Sequence, residues 1–225
     1  MGQALGSVLP IAVAVAIFPI PIIASVLLLG SARGTAKALA FILAWSAGLA
    51  TVGVAGLVVA AFADASDESE PATWVNALLL ALGILLVALA IGQWRNRPRS
   101  DDETQVPGWM RRIDDFTVAR AGQVGFALSA LNPKNILLTV AAAAEIAEHG
   151  LPASQQAVTM LVFVLLASAG VLTPLVLSLV LGERSREVLD GFRGWMARHN
   201  AAIMAALFLV IGAKLIGDAI SGFTG

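Results

Sequence analysis

A chain of 225 residues that is 58% hydrophobic and only 13% charged carries about half the charge of a soluble domain, which argues against a soluble enzyme. The net charge of −1 gives no global field for nucleic acid. The lack of any cysteine removes disulfides, thiolate metal sites and thiol relay chemistry. With a mean hydropathy of +0.86, the sequence reads instead as an all-α integral membrane protein.

The first apolar segment runs from about 5 to 29. It has no Lys or Arg ahead of it and no clear small-residue cleavage site after it, so it reads as a retained helix and not a signal peptide. Five more segments follow, at roughly 36–62, 73–93, 121–147, 154–182 and 200–222. Each is long enough to cross about 30 Å of hydrocarbon. The expected chain is therefore a six-span bundle, with a linker at 95–120 between a first half at 1–94 and a second at 121–225.

The connections sort by charge. Arg33 and Lys37 follow the first segment, Arg95, Arg97, Arg99, Arg111, Arg112 and Arg120 the third, and Arg184, Arg186, Arg193 and Arg198 the fifth. The second connection holds Asp64, Asp67, Glu68 and Glu70, and the fourth Glu145, Glu148 and His149, with no basic residue in either. Basic loops stay in the cytoplasm, so both termini are expected outside. In the third loop Trp109, Ile113 and Phe116 recur at helical spacing, as do Val188, Phe192 and Trp195 in the fifth. Both stretches read as short helices at the headgroup level.

The chain also repeats itself. FILAWSAGLAT at 41–51 and FVLLASAGVLT at 163–173 agree at six of eleven positions, at an offset of 122. Segments three and six align at an offset of 125 through Ala77, Ala81, Leu82, Ala88, Ile91 and Gly92. Segments one and four each carry a proline break, Pro19 and Pro21 against Pro133. A unit of three spans must return inverted, which gives a 3+3 inverted-topology repeat, a common transporter architecture. Duplication kept for packing alone is the plainer reading.

Candidate functional residues cluster at the breaks. Segment four contains Asn132, Pro133, Lys134 and Asn135. Counted from Ala121, Lys134 lies about 20 Å into the span at about 1.5 Å per residue. A lysine at that depth costs at least about 2.5 kcal/mol on insertion scales. It reads as an anion or carboxylate site, as a proton-coupled switch, or as a structural donor to carbonyls that the proline frees. Pro19 and Pro21 are expected opposite it, near the midplane. Lys214 and Asp218, four residues apart on one face, can pair and are candidates for coupling or gating. Thr173 and Pro174 read as a hinge. Ser46-Ala47-Gly48 and Ser168-Ala169-Gly170 read as close helix contacts. Arg33 and Lys37 read as topology signals that could also collect anionic headgroups. No phosphate-binding loop, metal-ligand grouping or Ser/His/Asp grouping is evident, so no cofactor and no enzymatic activity are expected.

These residues resemble the lysine-exporter (LysE) superfamily, which combines six spans, a three-plus-three repeat, a proline-containing first helix and an Asn-Pro-Lys element in helix four. Within it, the stretch PIPIIASVLLLGSARGTAKALAFILAW and the run LNPKNILLTVAAA are most similar to the GAP group, the peptidoglycolipid- and sulfolipid-addressing proteins of actinobacteria. The resemblance implies export of an amphiphilic envelope lipid or glycolipid across the cytoplasmic membrane, with Pro19, Pro21, Asn132, Pro133, Lys134 and Asn135 around the substrate. Membrane lipids are the expected partners, and a homodimer is compatible with the resemblance. Phe18, Ile20 and Ile22 make the first break greasier than in amino-acid exporters of the superfamily, which favours a lipid. A small-solute exporter, or a non-transporting accessory protein for envelope lipid assembly, are the alternatives.

Overall fold

A computed structural model describes residues 1–66, 72–97 and 108–224. Among the described residues it is all-helical: α1 (Gly2–Ala16), α2 (Pro19–Gly30), α3 (Gly34–Ser66), α4 (Ala72–Arg95), α5 (Val118–Ala130), α6 (Pro133–Glu148), α7 (Ala153–Leu181) and α8 (Ser185–Thr224), with short 3-10 turns at Gly108–Asp115 and Gly182–Arg184. Asp67, Glu68, Glu70 and Arg99 lie outside the described residues, as do the side chains of Asp64 and Arg111.

Four helices, α3, α4, α7 and α8, are each long and apolar enough to cross a membrane. Two bent pairs, α1 with α2 and α5 with α6, pass the same test together and bring the spans to six if each pair is one crossing. By the length and composition of its helices, the chain is a multi-pass membrane protein. Large apolar side chains point away from the bundle, with Phe62 and Val180 each 74% exposed. A helix that is apolar all round belongs in lipid or in a core, and a lipid solvent removes the penalty that water would impose on these outward faces.

The most extensive pairings are α4 on α8 and α3 on α5, followed by α1 on α7 and α3 on α6. Small residues permit the close approaches. A Cβ on Gly48 of α3 would meet Ser129 Oγ of α5, and one on Gly170 of α7 would meet the Ala16 carbonyl of α1. Between α3 and α7, Ser46 Oγ and Ser168 Oγ stand 2.9 Å apart. Ser46 already donates to the Ile42 carbonyl, so Ser168 is the donor between the two. By contrast, α6 and α8 scarcely touch along their backbones.

Three expectations change. First, the fifth-loop helix is not separate, because α8 runs unbroken from Ser185 to Thr224. No proline interrupts that stretch, and Leu189 and Met196 are buried while Val188, Phe192 and Trp195 stay exposed, so the amphipathic stretch continues in register into the apolar one. Second, the third-loop helix is tucked in: Met110 and Ile113 are buried, and the turn packs on α2. Third, Pro19-Ile20-Pro21 is the regular first turn of α2. First-turn amides have no intrahelical acceptor, so prolines there remove nothing the helix uses. The break falls just before them, at Ile17 and Phe18.

Candidate functional site

At the first break, α1 closes with Ile17 N donating to the Val13 carbonyl at 3.1 Å and Phe18 N to that of Val15 at 3.2 Å. Phe18 then leaves the helical region, at φ −58° and ψ +118°, and Pro19 opens α2, with the chain bent by 52°. No side chain caps α2; further along it, the buried Ser25 hydroxyl donates to the Val171 carbonyl of α7 at 2.9 Å.

The second break is built with polar groups. Leu131 N donates to the Ala127 carbonyl, ending α5. Asn132 is extended, Pro133 opens α6, and the bend is 58°. Asn132 Oδ1 accepts from Lys134 N at 3.1 Å, capping α6. Asn135 Nδ2 reaches back and donates to the Leu128 carbonyl at 2.9 Å. The donor to the broken ladder is thus Asn135, which leaves the Lys134 ammonium uncommitted. Asn135 Oδ1 and Thr139 Oγ1, one turn apart and fully buried, have no hydrogen-bond partner.

Lys134 Nζ lies 5.7 Å from the centre of the Phe208 ring, within range of a cation–π attraction. Among the described residues no carboxylate pairs with it. Phe208, fully buried on α8, also meets Phe18 edge-on, with ring centroids 6.1 Å apart. One aromatic ring therefore touches the residue before Pro19 and the residue after Pro133, and the two breaks face each other across it. Phe208 was not among the sequence candidates; the signal that could have found it is a lone large aromatic among the Ala and Leu of segment six, near the depth of Lys134.

A second polar centre lies toward the end of the bundle where α6 finishes. Lys214 Nζ on α8 stands 2.7 Å from Glu145 Oε1 on α6 and 2.5 Å from Asp218 Oδ2. The predicted Lys214–Asp218 pair is present, but Glu145 makes it a triad across two helices. A cavity of about 510 Å³ opens on it, lined by Ser7, Glu148, His149 and Ser221 besides the triad.

The other candidates stand apart from these centres. Lys37 is 5% exposed, and its ammonium donates to Ser31 Oγ and to the Asp114 carbonyl, each at 3.1 Å. It clamps the start of α3 to the 108–115 turn and is committed to protein acceptors. Arg33 is exposed, in a turn where its φ is +57°. Pro174 sits within an unbroken α7, and Thr173 Oγ1 donates one turn back to the Ala169 carbonyl at 2.8 Å.

The family described as Sap, sulfolipid-1-addressing protein, matches residues 8–221. The chain belongs to this family. The matched region holds both helix breaks, Phe208 and the Glu145–Lys214–Asp218 triad. No curated protein and no solved structure matched the chain.

Proposed function

We propose that this protein is a secondary transporter, or flippase-like exporter, that moves an acidic amphiphilic envelope lipid or glycolipid outward across the cytoplasmic membrane. The observation that carries the reading is Lys134, an ammonium with no carboxylate partner among the described residues, held beside Phe208 where two bent helix pairs meet. An intramembrane cation is costly to place, and such residues usually mark a substrate path. The family's sulfolipid description supplies a fitting ligand, because an acidic headgroup would complete the lysine while its chains remain in lipid.

The reading takes the six spans as two inverted triplets with both termini outside. The alternation of basic and acidic loops supports that orientation. The packing supports the repeat: α1 on α7 corresponds to α5 on α3, and Gly170 against Ala16 corresponds to Gly48 against Ser129. Ser46 and Ser168, bonded to each other, are separated by the 122-residue repeat offset. Alternating access then rocks the triplets about the breaks.

The test is purified protein in liposomes carrying a fluorescently labelled sulfated glycolipid, with bilayer crossing read by quenching from outside. Wild type moves the lipid, and Lys134→Ala, still folded by size-exclusion profile and helicity, moves it roughly 10- to 150-fold more slowly. Wild-type rates in Lys134→Ala overturn the site. A wild-type protein that moves only labelled amino acids overturns the lipid assignment, and one that moves neither is an accessory protein.

A further inference from the structure

The triad at the end of α6 has no part in holding a headgroup at Lys134. Its charges do not balance: one ammonium, Lys214, serves two carboxylates, Glu145 and Asp218. Glu145 is 1% exposed, and a buried carboxylate must be neutralised by a partner or by a proton. The titratable groups facing the cavity are Glu145, Glu148 and His149 from α6 and the turn after it, and Lys214 and Asp218 from α8. Among the described residues α1 contributes only Ser7. Asn76 of α4 stands behind the lining, its buried amide close to the cavity-lining Gly222 and its Oδ1 unpartnered.

Position makes this imbalance mechanical. α6 and α8 scarcely touch along their backbones, and among the described residues two polar side-chain contacts join them: Lys134 over Phe208 and Glu145 to Lys214. On α6, residues 134, 138, 141 and 145 fall on one face. Between the two contacts Leu138 and Ala141 on α6, and Ile211 on α8, are fully or almost fully buried. The Glu145–Lys214 bridge therefore ties shut the seam between the headgroup position and the polar cavity.

We infer that Glu145, Lys214 and Asp218 are a proton-binding site that couples lipid movement to a proton gradient, with Glu145 the acceptor. The inference rests on the lipid-transport reading. A proton from cavity water bonds to a Glu145 carboxylate oxygen; Lys214 stays an ammonium and keeps Asp218. The bridge between the helices opens, α6 parts from α8, and Lys134 gains a path to the cavity. When the proton leaves to water at the opposite face, Glu145 recaptures Lys214 and the seam closes.

The test uses full-length protein in liposomes with the labelled sulfated glycolipid, a trapped pH-sensitive dye and an imposed pH difference. Wild type takes up protons only while lipid moves, and one pH unit drives about tenfold lipid accumulation if one proton exchanges for one lipid, since both correspond to the same 1.36 kcal/mol. Glu145→Gln still equilibrates lipid at equal pH but loses the proton flux and the accumulation. Asp218→Asn, which leaves one ammonium to one carboxylate, weakens the proton-driven accumulation, and it decides the matter should Glu145→Gln fail to fold: an accumulation equal to wild type in Asp218→Asn overturns the coupling. Wild-type lipid movement without proton flux, or an unaltered flux in Glu145→Gln, overturns the coupling and leaves the lipid reading standing. No lipid movement by wild type overturns both.

Discussion

The α1/α2 and α5/α6 breaks bend the chain by 52° and 58°, and each places a proline at the first position of the helix that follows. Their side chains differ throughout. The first break is lined by Phe18 and two prolines and has no side-chain cap. The second has Asn132 capping, Asn135 donating backwards and Lys134 beside an aromatic ring. Proline thus accounts for the shared bend, and the polar residues account for chemistry at one break alone. A lipid crossing between them would meet a greasy wall on one side and a cation on the other.

The largest effect separating the breaks is expected at Lys134. Removing a hydrogen bond to a charged group costs about 1.5–3 kcal/mol, so Lys134→Ala should slow movement of the acidic lipid by roughly 10- to 150-fold. Lys134→Arg should recover part of the rate, and a neutral glycolipid should show little difference among the variants. Equal slowing of acidic and neutral lipids would mean that the breaks do not differ in headgroup recognition.

Next comes stability. Asn135→Leu strands the Leu128 carbonyl in an apolar interior, at a cost of about 1–3 kcal/mol. Pro21→Leu, at the comparable third position of α2, strands no carbonyl and should cost much less. Melting temperatures in detergent check the pair, and similar losses would show the polar scaffold to be dispensable.

The helices flanking the breaks give a finer contrast. Gly170→Ala drives a methyl onto the Ala16 backbone carbonyl, whereas Gly48→Ala meets a serine hydroxyl. A side chain yields more readily than backbone, so Gly170→Ala should cost about 1–3 kcal/mol and Gly48→Ala less. Ser129→Ala should relieve part of the second and none of the first. The smallest effect is the Ser46–Ser168 bond: hydrogen bonds between membrane helices average about 0.6 kcal/mol, and a double-mutant cycle on the two serines should return a coupling of that order.

The apolar helices, both breaks and the small-residue contacts were legible in the sequence because each rests on local signals: apolar runs of bilayer length, proline, and glycine beside serine. The offset of 122 singled out Ser46 and Ser168 before their hydroxyls were seen to meet. What remained illegible was long-range. Glu145 and Lys214 are 69 residues apart, and no periodicity links an acid at one helix end to a lysine in another span. Phe208 looked like one more apolar residue of segment six, since its importance comes from standing between Phe18 and Lys134. Lys37 looked like an exposed topology signal, and its burial depends on the 108–115 turn folding over it. The length of α8 was hidden by a change of composition near His199, where the helix passes from charged to apolar without a break in its backbone.

That unbroken helix has a consequence for movement. At about 1.5 Å per residue, a helix of 40 residues is about 60 Å long, twice the hydrocarbon thickness. It holds Phe208 near its middle, Lys214 and Asp218 toward one end, and Arg186, Arg193 and Arg198 toward the other. A rod cannot fold at the water boundary without giving up backbone hydrogen bonds. If it tilts about Phe208, its arginine-bearing arm must swing opposite to its triad-bearing arm, so a partner or lipid that grips the arginines has leverage on the far side of the membrane.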